Sequence, residues 1–209
     1  LPAPPPARPT FHHGDLRSAL IAAVGELIEV HGPDGFSVAE AARRAGVSSA
    51  APYKHFRDRP EILRAVVAEA MDRLHAAMTA AAAGQTPGSP EQIAAVGHAY
   101  VDFARAGPGV FRLVFGLTEG HDEDPSLQAK GQACFDVVAR AVAASLGQPV
   151  EADAVQRSAY VLWTCVHGHA FLTIDRKADV VATGFDDHSY LMAVARAVLE
   201  RAAAGTVGG

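Results

Sequence analysis

Residues 37–63 read SVAEAARRAGVSSAAPYKHFRDRPEIL, the pattern of two short helices and the start of a third. Ser37 precedes an apolar-periodic run and Glu40 follows three residues on. Their side chains can therefore satisfy backbone N–H groups reciprocally in a capping box. Val38, Ala41, Ala42 and Ala45 then share one helical face. Gly46 is the expected stop, because glycine enters the left-handed region without a Cβ penalty. Ser48 or Ser49 can cap the next helix, and Pro52 costs little in its first turn, where backbone N–H groups have no helical partner.

That second helix is expected to be short, with small and polar residues outward: Ser49, Ala50, Tyr53 and Lys54. Small side chains let a helix approach a base-pair edge, while Tyr53 and Lys54 can reach phosphates. Val47 and Phe56 are left to pin it to its neighbours. A helix, a sharp turn at glycine and a second helix bearing small and basic residues describe a helix-turn-helix, whose second helix fits the major groove.

These residues also carry a family resemblance. Ala45-Gly46-Val47-Ser48, then Tyr53-Lys54-His55-Phe56, Arg57-Asp58-Arg59 and Ile62-Leu63, resemble the DNA-binding domain of the TetR family of bacterial transcriptional regulators. Two positions depart from it: Arg59 stands where the family more often has lysine, and Pro52 sits inside the expected recognition helix. The first exchanges one phosphate-binding cation for another; the second leaves the helix start open. The expected DNA contacts are Ser37, Tyr53, Lys54 and Arg59 on phosphates, with Ser48, Ser49, Ala50 and His55 nearest the base edges.

The chain is 209 residues long, enough for one large or two small domains with a substantial core. Abundant alanine and few β-branched runs favour helices throughout. A net charge of −5 argues against a protein coated in nucleic acid. Residues 35–64, however, hold six basic residues against three acidic ones, a local excess of +3 that leaves −8 on the remainder. A small basic module on an acidic body suits local DNA contact rather than packaging.

Residues 1–11 are proline-rich and are expected to be disordered. Nothing at the N-terminus has the apolar core of a signal peptide, and Cys134 and Cys165 lack metal-type spacing, so reduced thiols in a cytoplasmic protein are expected. Residues 158–174 form the most apolar stretch, but at 17 residues, with His167, Gly168 and His169 inside it, a buried helix is expected rather than a membrane span.

The expected domains are a helix-turn-helix at 12–58, a connecting helix at 59–84 and a C-terminal domain at 85–204. In the first, Leu16, Leu20, Val24, Leu27 and Ile28 make a helical stripe that ends at His31-Gly32-Pro33, and Phe36 plugs the small core. The connecting helix opens at Pro60 and repeats Ile62, Val66, Ala70 and Leu74. Ser89-Pro90-Glu91-Gln92 is a capped helix start, and Gly107-Pro108-Gly109 is a break before a short aromatic helix. Further helices are expected over about 126–146, over 155–174 and through the stripe Leu191, Val194, Ala195, Val198 and Leu199. The helix over 155–174, apolar on nearly all sides, calls for cover from its own domain and from a second chain, so a four-helix homodimer interface is expected.

The run from Gly109 to Phe115 and the motif Trp163-Thr-Cys-Val-His167-Gly168 are similar to the Trp-His-Gly type of TetR-family C-terminal domain. That resemblance implies a ligand-responsive homodimer with an effector cavity in each C-terminal domain. Tyr100, Phe103, Phe111, Phe115, Trp163 and His167 are the candidate effector contacts, each also readable as core packing. His167 and His169 point in different directions from one helix and do not suit a shared metal; His167 reads as a buried histidine bonded to a carbonyl or carboxylate. The acidic loop at 120–125 lacks the spacing of a calcium site. No catalytic residue, metal or cofactor is expected, since no Gly-x-Ser-x-Gly elbow or phosphate loop occurs.

Together these readings give an all-α chain, with an N-terminal three-helix helix-turn-helix domain and a C-terminal helical domain for ligand binding and dimerisation. Its expected partners are double-stranded operator DNA, a small-molecule effector and a second copy of itself, with no membrane. The expected function is a repressor released from its operator by the effector. The alternative is a helical small-molecule-binding protein or enzyme that does not bind DNA.

Overall fold

A computed structural model describes residues 13–116, 124–177 and 186–206, so the expected N-terminal tail, most of the acidic loop and the last three residues lie outside the described part. Among the described residues there are eight α-helices, one 3₁₀ turn and no strand. The chain divides into two compact units, Leu1–Val66 and Val67–Gly209.

The first unit contains α1 (His13–Gly35), α2 (Val38–Arg44), a 3₁₀ turn (Pro52–Lys54) and the opening of α3 (Arg59–Ala83). Helical geometry in α1 breaks at Gly32, whose φ of 73° and ψ of 170° lie outside the helical region, and Pro33 follows. The expected stop is therefore real, with one further turn to Gly35 beyond it. Ser37 caps α2 by accepting the Glu40 backbone N–H at 3.4 Å. At the other end, Gly46 adopts φ 71°. Its N–H donates to the Arg43 carbonyl and that of Val47 to the Ala42 carbonyl, the double closure of a Schellman turn. Asp58 caps α3 through the Glu61 N–H at 2.8 Å, one residue earlier than a start at Pro60 implies. Leu20, Val24, Phe36, Phe56 and Ile62 are buried in this unit's core.

The second helix of the helix-turn-helix differs from the expected α-helix: it is reduced to the single 3₁₀ turn. Ala51, Lys54 and His55 each donate to the carbonyl three residues back, and only Phe56 reaches four residues back, to Pro52. Pro52 explains this, because it has no N–H to bond the Ser48 carbonyl and its ring crowds that carbonyl in an α-helix.

The second unit is built from the rest of α3, α4 (Pro90–Ala106), α5 (Pro108–Phe115), α6 (Pro125–Leu146), α7 (Asp153–Ile174) and α8 (Asp187–Thr206). Helix α4 is central and packs on α6, α7 and α8, while α7 also packs on α6 and α8. Ser89 caps α4 through the Gln92 N–H at 3.1 Å. Gln92 in turn takes the Gly88 N–H at 2.8 Å and gives its own amide to the Ala82 carbonyl at 3.0 Å, stapling the α3–α4 connection. Gly88 has φ +75°, and an added Cβ would lie 2.6 Å from the Ser145 backbone nitrogen, so no other residue fits without displacement. Valines and alanines from α4, α6 and α7 fill the core around Phe111, which is fully buried.

Candidate DNA-contact face and ligand cavity

The candidate DNA-contact face of the first unit follows from the shortened second helix. Ser37, Ser48, Ser49, Ala50, Tyr53 and Lys54 are all exposed, and His55 is half-buried. Tyr53 keeps 59% of its surface, an unusual exposure for a tyrosine with no apolar reason to be outside. Three of the six basic side chains here face carboxylates: Arg43 lies 3.7 Å from Glu40, Arg44 lies 3.4 Å from Glu40, and Arg57 lies 3.2 Å from Glu61. Hydrogen bonds from the Arg57 backbone N–H, and then from its side chain, hold the Glu61 carboxyl below its ordinary range.

Arg59 points elsewhere. Its Nη2 donates to the Pro33 carbonyl at 2.6 Å, its guanidinium lies 4.6 Å over the Phe36 ring, and its Nε is buried without a hydrogen-bond partner. The geometry ties this arginine to the packing of α3 against the α1–α2 corner, away from the exposed set. The sequence offered one signal for this, the replacement of the family's usual lysine by a planar cation suited to stacking.

In the second unit, a cavity of about 330 Å³ opens between α3 and α6. Helix α3 contributes Met71, Leu74 and Met78 to it, and α6 contributes Gly131, Gln132, Cys134, Phe135 and Val138. Tyr100 of α4, Phe115 of α5 and Trp163 of α7 complete it. Of the six expected effector contacts, Tyr100, Phe115 and Trp163 line the cavity, whereas Phe103, Phe111 and His167 do not. Phe111 instead sits at the centre of an aromatic cluster, 4.9 Å from Phe115 and 5.2 Å from Phe171, with Phe103 at its edge. The residues of α3 and α6 were missed because their apolar stripes read equally well as core.

His167 lies behind the cavity. Its Nδ1 is 2.7 Å from the Tyr100 hydroxyl, so its partner is a phenol rather than the expected carbonyl or carboxylate. Rings of Phe115, Phe171 and Trp163 surround it at 4.9–5.6 Å. Burial lowers the His167 pKa and keeps the imidazole neutral. Burial also raises the Tyr100 pKa, against a weaker opposing effect from the side-chain hydrogen bond of Trp163, so the phenol stays protonated. Cys134 is likewise pushed up to about 11, mainly by burial, and its thiol points at the Met71 carbonyl at 3.7 Å. His169 turns the other way, to Asp187 Oδ1 at 2.9 Å. No group of three or more histidine, cysteine or acidic residues able to hold a metal occurs among the described residues. No helix of the described residues is long and apolar enough to cross a membrane.

An all-helical chain with a helix-turn-helix unit at one end and a cavity-bearing helical unit after it has the organisation of a DNA-binding regulator. The family models agree: residues 20–66 match the bacterial regulatory proteins of the tetR family, and residues 93–195 match a tetracyclin repressor-like C-terminal domain. The chain belongs to the TetR family and is a DNA-binding transcriptional regulator rather than an enzyme.

Among solved structures it is similar to a Rhodococcus sp. RHA1 protein of unknown function, at 29% identity and a TM-score of 0.77, covering 93% of this chain and 98% of that one. A tetR-family transcriptional regulator from Streptomyces coelicolor shares the fold at 16% identity and a TM-score of 0.71, over 94% of this chain and 85% of that one. So does the transcriptional regulator FadR from Bacillus subtilis in complex with stearoyl-CoA, at 15% identity and a TM-score of 0.66, over 90% and 98%. No curated protein matches the sequence.

Proposed function

We propose that this chain is a repressor that grips a twofold operator as a homodimer and releases it when a small molecule enters the α3–α6 cavity. The observation that carries this reading is the continuity of α3. Its first turns hold Arg59, Ile62 and Val66 in the reading unit, and its later turns put Met71, Leu74 and Met78 on the cavity wall. A ligand that favours one position of the cavity segment shifts the population of head positions, and so operator affinity. The FadR neighbour's ligand is a property of that protein; at this identity it supports the fold alone.

In this reading Ser37, Tyr53 and Lys54 hold phosphates, while Ser48, Ser49, Ala50 and His55 lie nearest the base edges. Arg59 is assigned to packing instead. Dimerisation is supported by α7, whose exposed face carries Tyr160, Val161, Thr164, Gly168 and Leu172 at helical spacing. An exposed Tyr160 and Leu172, at 57% and 47%, flanking an open glycine make a stripe suited to close approach by a second copy.

The test is a gel-shift titration against DNA flanking the coding region, repeated over a range of salt. Sequence-specific binding that weakens with salt is expected, and Lys54→Ala should reduce the log–log salt slope by about one across all sequences. An unchanged slope removes Lys54 from the phosphate set, and no specific binding at low salt sinks the regulator's operator altogether.

A further inference from the structure

The chemistry of the cavity wall narrows what can occupy it. We infer that the occupant is an uncharged, largely apolar molecule of about a dozen non-hydrogen atoms, carrying one polar group that meets the Tyr100 hydroxyl. This rests on the cavity being the effector site, and it goes further by naming the class of ligand.

Three observations carry it. First, among the described residues no lysine, arginine, histidine, aspartate or glutamate lines the cavity, so they offer an ion inside no counter-charge. Burying an unpaired charge is strongly unfavourable, whereas burying apolar surface is favourable in proportion to its area. Lys130 of α6 and Asp72 of α3, each next in sequence to a lining residue, are paired with each other. Second, the size is set: an apolar cavity of about 150 Å³ holds benzene, so 330 Å³ holds about twice as many atoms. Third, the polar atoms are few and graded. Gln132, at the exposed end, is engaged with Asp136 at 2.7 Å, and the Cys134 thiol points at a backbone carbonyl. At the buried end, the Tyr100 hydroxyl pairs with His167 Nδ1 at 2.7 Å. Whichever of the two donates in that pair, a hydroxyl with one donor and two acceptor sites keeps capacity for one more partner, such as a ligand hydroxyl, which can donate or accept.

The protein supplies its own reporter, because Trp163 is the single tryptophan of the chain and lies on the cavity wall. The experiment titrates the full-length protein with 4-hexylphenol, hexylbenzene and 4-hexylbenzoate at pH 7.5, reading Trp163 fluorescence. The phenol should bind tightest, hexylbenzene about five-fold weaker for want of one hydrogen bond, and the benzoate anion at least about thirty-fold weaker than the phenol. Tyr100→Phe should bring the phenol and hexylbenzene to equal affinity. Gly131→Leu should abolish binding of both, since nothing lies within 4 Å of a Cβ added there and the side chain would grow into the opening.

Benzoate binding equal to or tighter than the phenol overturns the inference in favour of an anionic ligand such as a fatty acid. Failure of all three probes to perturb the fluorescence overturns it as well. DNA is absent from the measurement, so a chain that binds the phenol but no operator defeats the regulator reading and leaves this one standing.

Discussion

Arg59 does two jobs that a lysine cannot do together. Its planar guanidinium stacks on Phe36 while Nη2 reaches the Pro33 carbonyl, and the two contacts fix where α3 meets the turn after α1. Arg59→Ala loses the stacking and leaves a carbonyl unpaired, so a loss of about 2–3 kcal/mol in the stability of the reading unit is expected, measured by native-state hydrogen exchange of α1 and α2. Arg59→Lys should recover less than half of that. His167 gives a second expectation at this scale. The folded chain resists protonating this imidazole, whereas the unfolded chain accepts the proton at its ordinary value of 6.5. Acid therefore favours unfolding: stability is full above about pH 6.5 and declines as pH falls below it. Melting temperatures at pH 7.5 and 5.5 should differ less for His167→Gln than for the unaltered protein; an equal difference would show that other histidines carry the effect.

At the scale of the element, the legible features were those decided within one turn of chain. The Ser37 cap, the left-handed close at Gly46 and the capped start at Ser89 depend only on neighbours three or four residues away, and the structure forms each of them. The return half of the expected capping box is missing, because the Glu40 carboxylate turns to Arg43 and Arg44. The second helix of the helix-turn-helix was harder, because Pro52 is compatible with a first helical turn and equally with a lone 3₁₀ turn. What decides against an α-helix begun at the serines is the Ser48 carbonyl, which Pro52 cannot bond and which the Ala51 N–H takes instead, while Pro52 and Phe56 are buried in the core. The cavity was least legible. Met71, Leu74 and Cys134 have ordinary stripe spacing, and whether a stripe meets another stripe or a void is set by contacts more than fifty residues apart in sequence. Gly88 is a case in which sequence named the loop but not its constraint. Gly88→Ala combines a left-handed φ with a near collision at Ser145, so a loss of about 2–4 kcal/mol is expected in urea unfolding followed by Trp163 fluorescence.

At the scale of the whole molecule, the proposed twofold assembly sets the geometry of recognition. Two reading units on one face of B-DNA must engage major grooves about 34–36 Å apart, so a monomer would contact half a site and lose most of its affinity. Tyr160→Glu places a charge in the exposed α7 stripe and is expected to give a monomer in sedimentation at micromolar concentration, with operator binding weakened at least about a hundred-fold. Gly168→Ala separates the two roles of that glycine. With nothing within 4 Å, an added methyl should stabilise α7 by up to about 1 kcal/mol in an isolated chain, so weaker association in that variant would locate the close approach of the two copies.

Because the two units meet within one uninterrupted α-helix, between Val66 and Val67, the register across that junction is a rotational setting as much as a length. One residue inserted there would twist everything downstream by about 100° while advancing it only about 1.5 Å. Hybrid sensors that splice this reading unit onto a foreign sensing unit must therefore match helical phase at the splice. A series of one- to four-residue insertions should restore switching most nearly at the fourth, where the turn almost closes.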